Sequence, residues 1–168
     1  MKTSLILIAA VIFISGCTSQ TTASTNSNAT AGIDVGNRAP DFAVAITNGS
    51  TMRLSELHKP LVLYFMATWC PYCNEEYKVM GKLYPQYPGV ELLSMSIDPN
   101  DSRQMLQEYK IKGRPGLFAQ SNQDVLSNYN VVTTTTKYVI DRDGIIIYRG
   151  IGPLAEENWK TIFDAVTQ

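Results

Sequence analysis

Ligands for a metal ion are scarce in this sequence, which has three cysteines and one histidine among its 168 residues. Two of the cysteines, Cys70 and Cys73, stand three positions apart, a spacing that half of a zinc site can also have. A structural zinc site generally needs four protein ligands, and only Cys17 and His58 are left to supply the other two. Zinc binding is therefore an alternative interpretation of the cysteine pair, and His58 fits better as a loop residue.

An excess of charge of one sign is also lacking. Fourteen Lys and Arg residues face fifteen Asp and Glu residues, which gives a net charge of −1, and no basic run stands out. Nucleic-acid surfaces and electrostatic membrane patches need clustered positive charge, so we expect neither. The composition, 45% hydrophobic and 17% charged, is typical of a globular chain with one domain.

The N-terminal apolar run, Leu5 to Ile14, is too short to cross a membrane. It has ten residues, whereas a membrane-spanning helix needs roughly 20. Lys2 precedes the run and small residues follow it, which is the layout of an export signal. The protein is therefore expected outside the cytoplasm.

The end of this run, Ile14-Ser15-Gly16-Cys17, resembles the lipobox of prokaryotic lipoproteins. In that motif the signal peptidase cuts before a cysteine whose sulfur carries a diacylglyceryl thioether. We predict a lipoprotein signal peptide over residues 1–16 and lipid attachment at Cys17. The alternative is an ordinary cleaved signal with a stray cysteine.

Residues 18–32, TSQTTASTNSNATAG, carry no charge and almost no large apolar side chain. Such a segment cannot bury enough surface to fold. We predict that residues 17–32 consist of the lipidated cysteine and a flexible tether with a reach of about 20 Å. The folded domain would then span residues 33–168.

From Ile33 onward, strand and helix patterns alternate, which predicts a mixed α/β sheet with helices on both faces. A hairpin is expected around the turn TNGS, and the apolar run LVLYFMA is typical of a buried central strand. A helix fits PYCNEEYKVMGKLYPQY, with Pro71 in its first turn and Pro85 near its end. The remaining predicted strands are VELLSMSID, PGLFAQ, TKYVI and IIIYRG, and the remaining helices are SELHKP (one turn), DSRQMLQEYKI, QDVLSNYNV and AEENWKTIFDAVTQ.

The two cysteines stand where the predicted central strand passes into this helix. At that place, unpaired backbone N–H groups and the helix dipole stabilise a thiolate on Cys70. Cys73 lies one turn further in and should be more buried. We predict that Cys70 attacks a substrate disulfide and that Cys73 resolves the mixed disulfide. A permanently closed structural disulfide is the alternative, although so small a loop constrains the unfolded chain little.

Two longer segments resemble the thioredoxin superfamily and, more closely, its TlpA/ResA-like membrane-anchored thiol-disulfide oxidoreductases. VGNRAPDFAVAITNGSTMRLSELHKPLVLYFMATWCPYCNEE is similar to the family's opening, and YNVVTTTTKYVIDRDGIIIYRGIG to its closing hairpin. The resemblance implies a thioredoxin-like fold, dithiol-disulfide exchange on exported proteins, including apocytochrome c, and electrons from a membrane-embedded thiol transporter. It implies no bound cofactor besides the redox-active disulfide.

The chain departs from the family at the position that normally holds a cis-proline facing the disulfide. Aligned on the strand KYVID, this position is Thr135, in a run of four threonines. Because a non-proline cis bond costs about 3–4 kcal/mol, we expect a trans bond and a reshaped substrate loop at Thr134 and Thr135. A rival alignment uses Pro115 in IKGRPGLF.

Thioredoxin's buried aspartate, six residues before the first cysteine, is replaced here by Tyr64. In ResA-like relatives, a glutamate on the active-site helix matches Glu76. Glu76 is three residues beyond Cys73 and shares its helix face, whereas Glu75 does not. A carboxylate there can hold or release the proton of Cys73. The alternative is a solvated surface glutamate.

Three residues around the cysteines are expected to shape the site. Trp69 should shield the disulfide and form part of the docking surface, unless it is a core aromatic residue. Pro71 and Tyr72, the pair between the cysteines, resemble glutaredoxin more than the family's common choices. Since this pair influences thiolate stability, it leaves the direction of electron flow open.

We expect a reductase rather than an oxidant, and three other functions remain as alternatives. One is a disulfide-forming oxidant. Another is a peroxiredoxin-like peroxidase, which would need a threonine three residues before its reactive cysteine, where Ala67 stands. The third is metal binding: either copper delivery, which in relatives uses wider cysteine spacing and a histidine, or an iron-sulfur cluster shared by two chains.

Overall fold

The computed structural model describes residues 29–167. In this part of the chain there are seven strands and four α-helices. The strands are β1 (Ala43–Ala45), β2 (Thr51–Arg53), β3 (Leu61–Met66), β4 (Glu91–Ser96), β5 (Leu117–Ala119), β6 (Thr136–Ile140) and β7 (Ile146–Gly150). The helices are α1 (Pro71–Leu83), α2 (Arg103–Ile111), α3 (Gln123–Asn128) and α4 (Glu156–Val166), with short 3-10 turns at Leu54–Glu56 and Tyr84–Gln86.

Five strands form one mixed sheet in the order β5-β4-β3-β6-β7. The central strand β3 is parallel to β4 and antiparallel to β6, while β1 and β2 form a separate antiparallel hairpin. This is a thioredoxin-like α/β fold with an N-terminal hairpin, which confirms the predicted fold class.

The central strand is buried on both faces, which explains why its sequence is continuously apolar. Val62, Tyr64 and Met66 point into a cluster with α1, α2 and α4. The alternate residues Leu61, Leu63 and Phe65 point into a second cluster with the hairpin and α3. The carboxyl end of β3, from which the chain passes into α1, is therefore packed on both faces.

Two details of the predicted helices differ from the structure. Helix α1 ends at Leu83, and the 3-10 turn at Tyr84–Gln86 takes over because Pro85 lacks the N–H that would continue the α-helix. On α2, Leu106 and Tyr109 are buried as their spacing predicts, but Met105 is 44% exposed. Met105 lies one position before Leu106, so it points about 100° away from it around the helix.

The predicted signal peptide (1–16), Cys17 and most of the predicted tether lie outside the described residues. Within residues 29–167, no helix has both the length and the apolar character to span a membrane. The described chain begins with backbone hydrogen bonds that join Thr30 and Gly32 to Arg38. These bonds attach the start of the described segment to the domain.

Candidate active site

Cys70 and Cys73 form a disulfide at the junction of β3 and α1, with their Cα atoms 5.3 Å apart. Cys70 is the N-cap residue of α1, and its Sγ accepts a hydrogen bond from the backbone N–H of Cys73 at 3.1 Å. Pro71 occupies the first turn of α1, where backbone N–H groups make no hydrogen bonds within the helix, so its lack of an N–H costs nothing. The helix N-terminus therefore directs the Cys73 N–H and its positive dipole end at Cys70.

The structure buries both cysteines to the same extent. Cys70 is 1% exposed and Cys73 is 0% exposed, so the expected difference in burial is not seen. The neighbouring aromatic residues are the exposed ones: Trp69 is 62% and Tyr72 63% accessible. Trp69 is thus a surface residue beside the disulfide and not a core aromatic residue.

Two aspartates hold the segment just before Cys70. Asp101 is buried and accepts hydrogen bonds from the backbone N–H of Thr68 at 2.9 Å, from the Thr68 hydroxyl, and from the Ser96 hydroxyl at 2.6 Å. Asp98 accepts from Trp69 Nε1 at 2.7 Å. Hydrogen bonds from the backbone of Asn100 and from Trp69 lower the pKa of Asp98. Both contacts orient the strand-to-helix turn that carries the disulfide.

The sequence reasoning missed these aspartates, although a signal for them exists. They follow β4, which runs parallel to β3. Because the carboxyl ends of neighbouring parallel strands meet at the same edge of a sheet, polar residues after β4 are brought next to the turn after β3.

Glu76 is 1% exposed, so it is not a solvated surface glutamate. Four donors surround its carboxylate. They are Tyr64 Oη to Oε2 at 2.8 Å, and Lys137 Nζ, Leu154 N and Trp159 Nε1 to Oε1 at 2.8, 3.0 and 3.1 Å. An ionised carboxylate, which only accepts hydrogen bonds, satisfies this arrangement.

Tyr64, at the position of thioredoxin's aspartate, acts on the site through Glu76. Burial, and after it the charge of Glu76, raises the pKa of Tyr64 far above its ordinary value. The phenol therefore stays protonated and donates to the carboxylate. Glu76, which we expect to handle the proton of Cys73, is therefore hydrogen-bonded by Tyr64, the residue that stands in place of the aspartate.

Lys137 is a third residue, after Asp98 and Asp101, that the sequence patterns did not single out. It lies on β6 directly opposite Tyr64 on β3, and its side chain has no exposed surface. Burial lowers the pKa of Lys137, while the hydrogen bond to Glu76 and its charge act in the opposite direction. A lysine within the apolar strand TKYVI was the available signal, because a buried lysine requires a partner.

The expectation of a trans peptide bond at Thr135 is wrong: the Thr134–Thr135 bond is cis. The general preference for trans does not include the tertiary contacts of this loop, in which Thr135 is buried and the Thr136 hydroxyl donates to the Thr133 carbonyl. Thr135 directly precedes β6, a neighbour of β3, whereas Pro115 precedes the edge strand β5. The structure thus places a cis bond where the alignment on KYVID expects the family's cis-proline.

His58, predicted as a loop residue, is exposed in the loop before β3. Between residues 29 and 167, no group of three or more His, Cys, Asp and Glu side chains is arranged to hold a metal ion. The cysteine pair in this structure is a disulfide.

Comparison with known proteins covers most of the chain. The sequence profile of the AhpC/TSA family matches residues 35–149. The thiol-disulfide oxidoreductase ResA of Geobacillus kaustophilus is 34% identical over 170 residues, which cover 99% of this chain and 94% of that protein. ResA of Bacillus anthracis is 29% identical over 140 residues, 80% of each chain.

Solved structures show the same fold. A thiol:disulfide interchange protein of the thioredoxin family from Chlorobium tepidum superposes with a TM-score of 0.69 at 20% identity, covering 78% of this chain and 96% of that one. StoA from Bacillus subtilis superposes with a TM-score of 0.62 at 19% identity, covering 73% and 96%. At these identities the likeness concerns the fold alone.

Proposed function

Because this chain belongs to the AhpC/TSA family and is a ResA-like thiol-disulfide oxidoreductase, we propose that it reduces disulfides of exported proteins at the outer face of the cell membrane. The observation that carries this proposal is the placement of Cys70, an N-cap residue whose sulfur already accepts the Cys73 N–H. That placement stabilises a thiolate on the cysteine that meets the substrate first.

In the proposed reaction, the Cys70 thiolate attacks one sulfur of a substrate disulfide. The substrate S–S bond breaks, one substrate sulfur leaves as a thiolate and takes up a proton, and a mixed disulfide with Cys70 remains. Cys73 then loses its proton and attacks Cys70 Sγ, which releases the second substrate sulfur as a thiol. The substrate gains two electrons and two protons, and Cys70 and Cys73 become the disulfide.

Glu76 takes the proton of Cys73 in this scheme. The two residues are one helical turn apart on α1, which puts their Cβ atoms about 5–6 Å apart. Oε1 of Glu76 already has three donors, but Oε2 has only the Tyr64 hydroxyl. Since a carboxylate oxygen has two lone pairs, Oε2 is the atom with room for the incoming proton.

The surface around the disulfide supports docking of a protein substrate. Trp69 and Tyr72 flank the disulfide in sequence and are large, exposed side chains, and Val132 is exposed to 81%. Val132 stands two residues before Thr134 in the loop that leads to the cis bond. We assign substrate binding to this loop: the backbone at Thr134 and Thr135 pairs with the substrate chain, and the apolar side chains cover it.

The location and the electron source complete the proposal. A signal peptide over 1–16, lipid on Cys17 and a tether that ends where Thr30 bonds to the domain would keep the domain near the membrane. The two electrons lost in each cycle are then restored by exchange with a membrane-embedded thiol transporter. Cysteine pairs of exported proteins are the substrate class, and those of apocytochrome c are the first candidates to assay.

A trapping experiment tests the function. In cells that produce the full chain with Cys73→Ser, the mixed disulfide with Cys70 cannot be resolved, so we expect exported proteins to be recovered from the membrane fraction in a reductant-sensitive link to Cys70. The Cys70→Ser, Cys73→Ser double variant is the matched control and should capture none of them. Capture of cytoplasmic proteins only, or equal capture by the control, would contradict the proposal.

A further inference from the structure

A positive charge lies buried between the central strand and the active-site helix. Lys137 is the residue that carries it, and its side chain is 0% exposed. Lys137 and Val139 alternate along β6 toward the α1 face of the sheet, where Val139 packs in the same cluster as Tyr64, Cys70 and Cys73. The buried ammonium group thus lies on the same side of the sheet as the disulfide and contacts Glu76 of the active-site helix.

All three N–H donors of Lys137 have acceptors. Its Nζ lies 2.8 Å from Glu76 Oε1, 2.6 Å from the Gly152 carbonyl oxygen and 3.4 Å from Thr135 Oγ1. These partners belong to α1, to the loop after β7 and to the cis-peptide loop. Three acceptors around one nitrogen match the protonated ammonium, which has three hydrogens.

This contact neutralises the charge of Glu76. Among the described groups that donate to Glu76, Lys137 is the only one that is charged, because Tyr64, Trp159 and the Leu154 N–H are neutral. The other titratable side chains near the carboxylate are Tyr77 on α1 and Tyr148 on β7, and burial raises the pKa of both. The pair of Glu76 and Lys137 therefore contributes one carboxylate and one ammonium, which add up to zero net charge. The carboxylates of Asp98 and Asp101 lie on the other side of the disulfide turn, at Trp69 and Thr68.

We propose that Lys137 is a charge-compensating positioning residue of the dithiol: its ammonium offsets Glu76, so that the Cys70 thiolate formed on reduction meets a neutral Glu76–Lys137 pair and not a lone carboxylate. This inference rests on the proposed function, in which Cys70 works as a thiolate. Without Lys137, the thiolate would form next to an uncompensated carboxylate, and like charges oppose each other's ionisation. The reduced dithiol would then be less favoured and the disulfide more favoured.

A charge cycle in the full-length protein tests the proposal. The variants are Lys137→Met, Glu76→Gln and the double variant, and the measured quantities are the equilibrium constant with glutathione and the midpoint of the Cys70 thiolate titration. One charge about 10 Å away, at an effective dielectric constant of about 20, changes such an equilibrium about tenfold. We expect Lys137→Met to favour the disulfide about tenfold, or about 30 mV, and to move the titration to higher pH.

The opposite charge change should have the opposite effect. Glu76→Gln is expected to favour the dithiol and lower the titration midpoint, and the double variant should return close to wild type. Lys137→Arg, which keeps the charge, should resemble wild type more than Lys137→Met does. Lys78→Met and Glu75→Gln change an exposed ion pair on the same helix and should leave both quantities unchanged.

A merely structural role predicts another pattern. Both single variants would then unfold at lower urea concentration, but Lys137→Met and Glu76→Gln would not shift the glutathione equilibrium and the Cys70 titration in opposite directions. This result would overturn the proposal. If Lys137→Met does not fold, the comparison of Glu76→Gln with the double variant gives the same charge effect. Insulin reduction by the wild-type protein tests the proposed function separately, because its failure leaves the charge cycle measurable.

Discussion

At the scale of single residues, Glu76 shows how much the surroundings of a side chain decide. Its carboxylate is enclosed and accepts hydrogen bonds from two side chains of the sheet, Tyr64 and Lys137, and from Trp159 on α4. Its sequence neighbour Glu75 is 67% exposed and pairs with Lys78 on the surface. Two adjacent carboxylates on one helix should therefore contribute differently to the free energy of unfolding.

Glu76→Gln should lower the free energy of unfolding by about 3–5 kcal/mol, because it leaves the buried ammonium of Lys137 without its counter-charge. Glu75→Gln should change it by less than about 1 kcal/mol, since exposed ion pairs contribute little. Urea unfolding of the oxidised proteins measures both values, provided that the free energy of unfolding falls with urea concentration at the same slope in all variants. Equal midpoints for the two variants would show that the buried pair does not stabilise the fold.

At the scale of secondary-structure elements, the active-site turn is held from the neighbouring strand. Asp101 stands between β4 and α2 and joins them to Thr68 in the turn between β3 and α1. Its carboxylate supplies acceptors to one backbone N–H and two hydroxyl groups that have little access to solvent. The position of Cys70 therefore depends on a loop that contains no cysteine.

Asp101→Ala should reduce the stability of the domain by about 2–3 kcal/mol, because it leaves these donors unsatisfied in a buried site. It should also slow disulfide exchange, since the turn before Cys70 loses its anchor. Asp143→Ala, in the exposed turn between β6 and β7, is the control and should change neither the stability nor the exchange rate appreciably. Chemical denaturation and an insulin-reduction assay give the two quantities, and normal values for Asp101→Ala would refute the anchoring role.

How far the sequence predicts the structure depends on the range of the interactions. The strands, the helices and the place of Cys70 and Cys73 follow from local patterns: an apolar run, proline in a first turn and helical spacing. Lys137 and Glu76 are 61 positions apart, and no local pattern reports that they meet. The same holds for Thr68 and Asp101, and for the cis bond at Thr135, where tertiary contacts override a local preference.

At the scale of the whole molecule, the hydrophobic clusters on both sides of the sheet contain buried tyrosines that must stay neutral. Eight of the nine tyrosines have a raised pKa, and burial is the largest cause for all but Tyr87, in which the hydrogen bond to Asp164 comes first. Tyr64 and Tyr77 lie on the α1 side, and Tyr129 and Tyr138 on the other. Both layers would have to open before these phenols ionise.

The fold should therefore lose stability above pH 10. The unfolded chain releases phenolic protons there while the folded chain keeps those of its buried tyrosines, so the free energy of unfolding falls as pH rises. For the most deeply buried ones, Tyr64, Tyr77 and Tyr129, the fall is up to about 1.4 kcal/mol per pH unit each. The lowered pKa of Lys137 works in the opposite direction, but only for one group and only up to about pH 10.5. Phenolate absorbance and circular dichroism should change together between pH 10 and 12; ionisation of most tyrosines in a chain that is still folded would contradict this prediction.

The reduction potential of the Cys70–Cys73 pair tests the central claim most directly. It is measured on the full-length protein equilibrated in dithiothreitol and glutathione buffers at pH 7. For a reductase of exported proteins, we predict a value near or below that of thioredoxin, about −270 mV. A value near −120 mV, typical of a strong disulfide-forming oxidant, would contradict the proposed direction of electron flow.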